Sequence, residues 1–377
     1  MVDPVNDGPL PPHTAIPGDI VSLADYERHA AAHMPAASLR HVQYGAGAET
    51  TLAANRAQFD RYRIKPAAMA DMHGASTELE LFGQRHATPI LLAPLAYHKI
   101  AHPDGELATM AAATALDTTM VVSTLSSVPL EHIADQARAI AGEMRMAAPP
   151  LWFQLYLQPD RAYSLELVRR AESAGYGVLV LTVDAGVKRA GFALPPGVDA
   201  ANLRGMPSSA QETSAIGGKL LFGTPLLDTV PTWADLEWLR SVTPLPIVVK
   251  GLLSASDARL AVERGADGVV VSNHGGRVLD GLAVPLEVLP GIVEAVAGKA
   301  PVLMDGGVRY GTDVLKALAL GASAVLVGRP QIHALAVAGM PGVAHALHML
   351  RTELELAMAQ VGCPTLDAVR HADLLTA

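Results

Sequence analysis

Residues 265–281 read GADGVVVSNHGGRVLDG. The run GVVV is apolar at every position, so a strand built from it must be covered on both faces, as in a parallel sheet flanked by helices. It stops at Ser272, Asn273 and His274, and Arg277 follows after two glycines. A buried strand that ends in a base and a cation calls for a fold in which strand ends meet at a common mouth.

Seven more runs of the same kind occur: TPILLAP (88–94), TTMVVST (118–124), PLWFQLY (150–156), GVLVLTVD (177–184), PIVVKG (246–251), PVLMDGG (301–307) and AVLVGR (324–329). Between most of them lie amphipathic stretches such as DGELATMAAATAL, SLELVRRAESAG, SASDARLAVERG and YGTDVLKALALG, several opening at Ser or Asp and closing at Gly, the cap residues of helices. Eight strand-helix units in one chain predict an α/β fold, a (β/α)8 TIM barrel. The runner-up, an open doubly wound sheet, normally carries a glycine-rich turn after its first strand, and TPILLAPLAYHK has none.

Residues 1–18, rich in Pro and acids, read as a flexible arm ahead of one domain over 19–377. The stretch SLADYERHAAAHMPAASLRHVQYGAG has helical patterning and should pack on the barrel. GVAHALHMLRTELELAMAQVG should close it. Between the fourth and fifth strands, residues 185–245 are rich in Gly, Pro, Ser and Thr, the composition of a long lid loop.

In a barrel, polar residues at the C-terminal ends of strands share one mouth. Those residues are Ser123 and Thr124, Gln154 and Tyr156, Thr182 and Asp184, Lys250, then Ser272, Asn273 and His274 with Arg277, and Asp305. The seventh and eighth strands run into DGGVRYG and VGRP, glycine turns with Arg309 and Arg329, the pattern of a phosphate site. A histidine suits proton removal near neutral pH, a carboxylate such as Asp184 can orient it, and an arginine can grip a substrate carboxylate through two hydrogen bonds. The residues alone therefore point to proton abstraction from an anionic small molecule beside a phosphorylated ligand.

Composition narrows the partners. A net charge of -9 argues against nucleic acid and anionic membranes, and no apolar run reaches spanning length. The one cysteine, Cys363, excludes an internal disulfide and fits a reducing, cytoplasmic setting; it reads as a small buried residue. His98 and His102 lie at helical spacing without a converging carboxylate motif, which favours a structural role over metal binding.

The motifs APLAYHKIAHPDGELA, WFQLY, LTVD, VVKG, VSNHGGRVLDG, DGGVRYGTDVLKALALGA and VGRP closely resemble the FMN-dependent α-hydroxy acid oxidase and dehydrogenase family. The resemblance runs from about Ser22 to Gly362, with wording such as TLSSVPLEHIA most like the hydroxymandelate oxidase branch. It implies FMN as the phosphorylated ligand, with Pro94, Leu95, Ala96, Ser123, Gln154 and Thr182 along the isoalloxazine ring. It implies Lys250 near flavin N1, Ser272 and Asp305 beside it, and Gly307, Arg309, Gly328 and Arg329 around the phosphate. It makes His274 the base, Asp184 its partner, Arg277 the holder of the substrate carboxylate, and Tyr26 and Tyr156 substrate contacts. A homotetramer is implied as well.

Two departures stand out. The family continues LTVD with a Gly-Arg-Arg segment whose second arginine also holds the carboxylate. Here the chain reads LTVDAGVKRAGFALPPG, several residues shorter, with Lys188 and Arg189 as the cations on offer. Losing one of two charge-assisted contacts costs about 1.5 to 3 kcal/mol, roughly tenfold to a hundredfold in binding. This predicts a larger or less anionic substrate than glycolate or lactate: an aryl hydroxy acid, its ester or amide, or an amine. Leu125 stands where glycolate oxidase has a tryptophan, which would make room for an aromatic group. Two other readings stay open, an FMN-dependent isomerase and an inactive FMN-binding barrel, and reduction of the flavin by a hydroxy acid separates both from an oxidase.

Overall fold

The computed structural model describes residues 8–186, 192–206, 222, 227 and 230–376. The eight apolar runs form strands β1 (Ile90–Leu92), β2 (Met120–Ser123), β3 (Leu151–Leu155), β4 (Val178–Thr182), β5 (Ile247–Leu252), β6 (Gly268–Val271), β7 (Val302–Asp305) and β8 (Ala324–Val327). All are parallel to their neighbours, and β8 pairs with β1, so the sheet closes into a barrel. The TIM barrel is thus the fold, and closure rules out the open sheet.

Alternation along each strand divides the core. Leu91, Val121, Trp152, Val180, Val248, Val270, Leu303 and Leu326 form one fully buried cluster, the barrel's own filling. Ile90, Val122, Phe153, Leu179, Val249, Val269, Met304 and Val325 belong to a second cluster with the surrounding helices. Both faces are therefore dry, which is why the strands read as unbroken apolar runs.

The N-terminal end of the barrel is stoppered by a hairpin, Leu79–Leu81 paired with Gln84–His86. Its two-residue turn, Phe82 and Gly83, has positive φ at both positions (55° and 71°), the tight turn that suits strand twist. Phe82 meets Trp152 edge to face at 5.4 Å, and the Trp152 indole N–H donates to Gln84 Oε1 at 3.0 Å. A Cβ on Gly268 would lie 2.7 Å from the Phe82 ring, so the strand must be bare there. With this end filled, the chemistry is left to the opposite mouth.

Ahead of the barrel come helices α1 (Leu23–His33) and α2 (Ala36–Gln43), within the stretch whose patterning predicts helix, and α3 (Thr50–Asp60), which follows it. Ser22 caps α1 by accepting from Asp25 N–H. From the stretch read as an arm, Leu10 N–H donates to Ala32 O at 2.8 Å and His13 N–H to Val337 O at 2.7 Å. The final long helix, Arg329–Gln360, is broken by non-helical backbone at Ala338 and Gly339. Among the described residues no helix is long and apolar enough to cross a membrane. Part of the expected lid, including Lys188 and Arg189, lies outside the described residues.

Candidate active site

Strand β5 carries Lys250 near its end, buried, with its ammonium 2.9 Å from Ser272 Oγ on the neighbouring strand end and 2.9 Å from Asp305 Oδ2 at the end of β7. Burial alone would lower its pKa, but the carboxylates of Asp305 and Asp184 outweigh that and raise it, so the lysine stays charged. Immediately after Lys250 the register against β6 slips in a bulge. The residue there is Gly251, with φ +113°, and a Cβ on it would lie 2.6 Å from Asp184 Cβ and Cγ. The bulge and the missing side chain open the space into which β4's continuation delivers Asp184.

Asp184 Oδ1 accepts from His274 Nδ1 at 2.9 Å. Burial would raise the carboxyl's pKa, yet the charges of His274 and Lys250 and the bond from His274 bring it below the usual carboxylate range. A carboxylate on Nδ1 fixes the tautomer with the proton there, and so presents Nε2 as the basic nitrogen. His274 itself has φ +56°, a conformation unusual for a residue with a side chain, and Gly275 and Gly276 continue in the left-handed region.

That strained loop is fastened to α3 at several points. The side-chain amides of Asn273 and Asn55 pair reciprocally at 2.9 and 2.8 Å. Gly276 O accepts from Ala46 N–H. Asp280 caps α3 from across the chain, accepting from the N–H groups of Ala48, Thr50 and Thr51 and from the Thr50 hydroxyl. Those bonds hold its carboxyl far below the ordinary range.

Around these groups opens a cavity of about 1140 Å³ at the barrel mouth. Of the residues named from sequence, Pro94, Leu95, Ala96, Ser123, Leu125, Tyr156, Thr182, Lys250, His274, Arg277, Asp305, Gly307, Arg309, Gly328 and Arg329 line it. Asp184, Gln154 and Ser272 stand one contact behind, bonded to His274, Ser123 and Lys250 respectively. Tyr26 is the correction. It is fully buried on α1, away from the cavity wall, with its hydroxyl 2.9 Å from His345 Nδ1. The N-terminal segment contributes His41 and Tyr44 instead, and the wall also includes Tyr97, Leu157, Phe192, Leu194 and Leu203, none of which the sequence singled out as a site residue. The His41 and Phe192 rings stack at 4.3 Å with a 20° interplanar angle.

The donor set fits FMN. Gln154 Nε2 and Thr182 Oγ1 are buried polar atoms without a partner among the described residues, at the ends of β3 and β4, as the polar rim of a flavin ring requires. Arg309 and Arg329 are partly buried and lie near each other and Arg277. Burial first, then the neighbouring guanidiniums, pulls Arg329 down to about 9. Cations crowded this way, with Glu27 no nearer to Arg309 than 3.8 Å, form a site awaiting an anion.

A family model described as FMN-dependent dehydrogenase matches residues 30–376. The chain belongs to that family. Its cofactor is FMN, and it is an oxidoreductase of the α-hydroxy acid oxidase type. It is 46% identical to an L-lactate oxidase of Alicycliphilus denitrificans over 97% of this chain and 99% of that one. It is 44% identical to a 4-hydroxymandelate oxidase of Amycolatopsis orientalis, over 93% and 97%. The crystal structure of a mandelate oxidase with (S)-2-phenylpropionate superposes with a TM-score of 0.83 at 42% identity, over 94% of this chain and 98% of the other.

Proposed function

We propose that this member of the family oxidises a 2-hydroxy acid with a bulky apolar substituent, of the mandelate type, to the 2-oxo acid. The observation that carries the reading is the cavity itself: the His274–Asp184 pair and Arg277 face a wall of Tyr97, Leu125, Leu157, Phe192, Leu194 and Leu203. An apolar wall favours a substrate that fills it, and each buried methylene contributes about 0.8 kcal/mol.

In the reaction the substrate loses its hydroxyl proton and its α-hydrogen, and two electrons pass to FMN, which supplies the electron acceptor when bound. His274 Nε2 takes up a proton, and Asp184 stabilises the imidazolium that forms. Arg277 holds the substrate carboxylate, and Tyr156, half-buried in the cavity wall with its hydroxyl pKa pushed up by desolvation, donates a hydrogen bond as a neutral phenol. Lys250 provides a buried positive charge toward which the arriving electron density is drawn. Residues 94–96, Ser123, Gln154 and Thr182 hold the ring, and Gly307, Arg309, Gly328 and Arg329 the phosphate. Once reduced, the cofactor would pass its electrons to oxygen or another acceptor. The barrel with its helical N-terminal segment, 19–377, works as one FMN-binding unit; its single cysteine suits a reducing, cytoplasmic setting, and the family resemblance suits a homotetramer.

The shortened segment after Asp184 supports a second reading, a substrate without a free carboxylate. Anaerobic titration with lactate, mandelate, 4-hydroxymandelate and methyl mandelate, following the flavin band near ~450 nm, tests both. Bleaching by the mandelates ahead of lactate supports the first reading, and faster bleaching by the ester supports the second. A flavin that stays oxidised throughout overturns both.

A further inference from the structure

The last carbonyls of a helix have no partner within it, and in α2 these meet two arginines. Arg277 Nη1 donates to Val42 O at 2.8 Å and Tyr44 O at 3.4 Å, and its Nη2 donates to His41 O at 2.8 Å. Arg329 donates to the same Val42 and Tyr44 carbonyls at 3.0 and 3.2 Å. The Arg277 guanidinium also lies over the Tyr44 ring, 4.3 Å from its centroid. The three carbonyls take three of the guanidinium's five N–H bonds, and the remainder are left to the Tyr44 side chain and a ligand.

We infer that Tyr44 is the positioning residue of the substrate-holding arginine: with the C-terminal carbonyls of α2 it fixes the plane of Arg277 before substrate arrives. The inference rests on the proposed role of Arg277. A long arginine normally loses rotamer freedom when it closes on a ligand, and that loss weakens binding. Here stacking on one face and three carbonyls on one edge impose the loss during folding. The negative end of α2 also offsets the repulsion between Arg277 and Arg329. A chain whose segment after Asp184 lacks the family's second arginine depends the more on how rigidly the first is held.

The test compares kcat/KM for mandelate with that for its neutral methyl ester in the FMN-loaded enzyme, for wild type, Tyr44→Leu, Tyr44→Phe and Arg277→Leu. The acid-to-ester ratio within one preparation cancels any loss of folded protein. Tyr44→Leu should lower the ratio roughly 3- to 30-fold, through KM for the acid, which is the range of a partly buried cation–π contact. Tyr44→Phe, which keeps the ring face, should recover most of it. Titration with phenylacetate, read from the flavin spectrum, should show the same rise in Kd without turnover. An unchanged ratio in Tyr44→Leu, or equal losses for acid and ester, overturns the inference. If Arg277→Leu also leaves the ratio unchanged, it is the role of Arg277 that fails; if only Arg277→Leu collapses it, that role stands and Tyr44 is excluded.

Discussion

Replacing Gly251 by alanine should damage catalysis through a residue that touches neither substrate nor flavin. The new methyl group would sit 2.6 Å from Asp184 Cβ and Cγ, at a backbone φ of +113° that alanine adopts only under strain. Reaching ordinary carbon–carbon contact requires Asp184 to retreat by about 1 Å. That retreat breaks the 2.9 Å bond to His274 Nδ1. A charge-assisted hydrogen bond of this kind contributes about 1.5 to 3 kcal/mol, so flavin reduction should slow roughly 10- to 150-fold. Stopped-flow reduction under anaerobic conditions measures it directly. The decisive comparison is a double-mutant cycle: in an Asp184→Asn background, Gly251→Ala should cost no more than about threefold, because the bond it breaks has already lost its charge. A full additional loss there, or a Gly251→Ala enzyme that reduces flavin within threefold of wild type, would falsify the steric argument.

Four further outcomes follow from the geometry. Asp184→Asn should shift the acid limb of kcat/KM to lower pH, since an imidazolium without its anion gives up its proton more readily, as a pH–rate profile will show. Arg309→Ala and Arg329→Ala should each weaken FMN binding about tenfold or more in a fluorescence titration; in the FMN-free protein Arg309→Ala should leave the melting temperature unchanged or higher because cationic crowding is relieved, whereas Arg329→Ala should lower it by losing the bonds to the Val42 and Tyr44 carbonyls. Leu125→Trp should fill the cavity and shift preference from mandelate toward lactate by roughly 10- to 100-fold in kcat/KM. Buried His86 and His333 have pKa values lowered by desolvation to about 4 and about 3. The unfolded chain therefore binds protons that the folded one refuses, and stability falls as pH drops below about 6.5, by about 2 kcal/mol per histidine at pH 5. His333→Phe should remove its share of that slope in melting curves taken from pH 7 to 5.

The barrel was legible because its strands are dry on both faces, which turns each into an apolar run with polar residues at one end. The motifs at those ends also named much of the cavity's polar chemistry: His274, Arg277, Lys250, Arg309 and Arg329 all line it. The helical segment before the barrel was harder. Its helices are amphipathic, but only packing decides which face turns where, and Tyr26 turns to His345 while His41 and Tyr44, on the next helix and its cap, reach the cavity. Gly251 was visible in VVKG without its meaning, because a glycine that makes room for a side chain on the adjacent strand looks in sequence like any strand end. Phe192 reaches the wall from the shortened segment, whose path no periodicity fixes.

The loop bearing His274 is fastened to α3 by the Asn55–Asn273 pair and by Asp280. A base bolted to the scaffold cannot swing aside to suit a substrate's shape, so that adjustment falls to other wall residues such as Phe192 and Leu194. Selectivity and chemistry are thereby carried on separable pieces of chain, and an exchanged rim segment would alter which acid is admitted while the proton-transfer apparatus kept its setting.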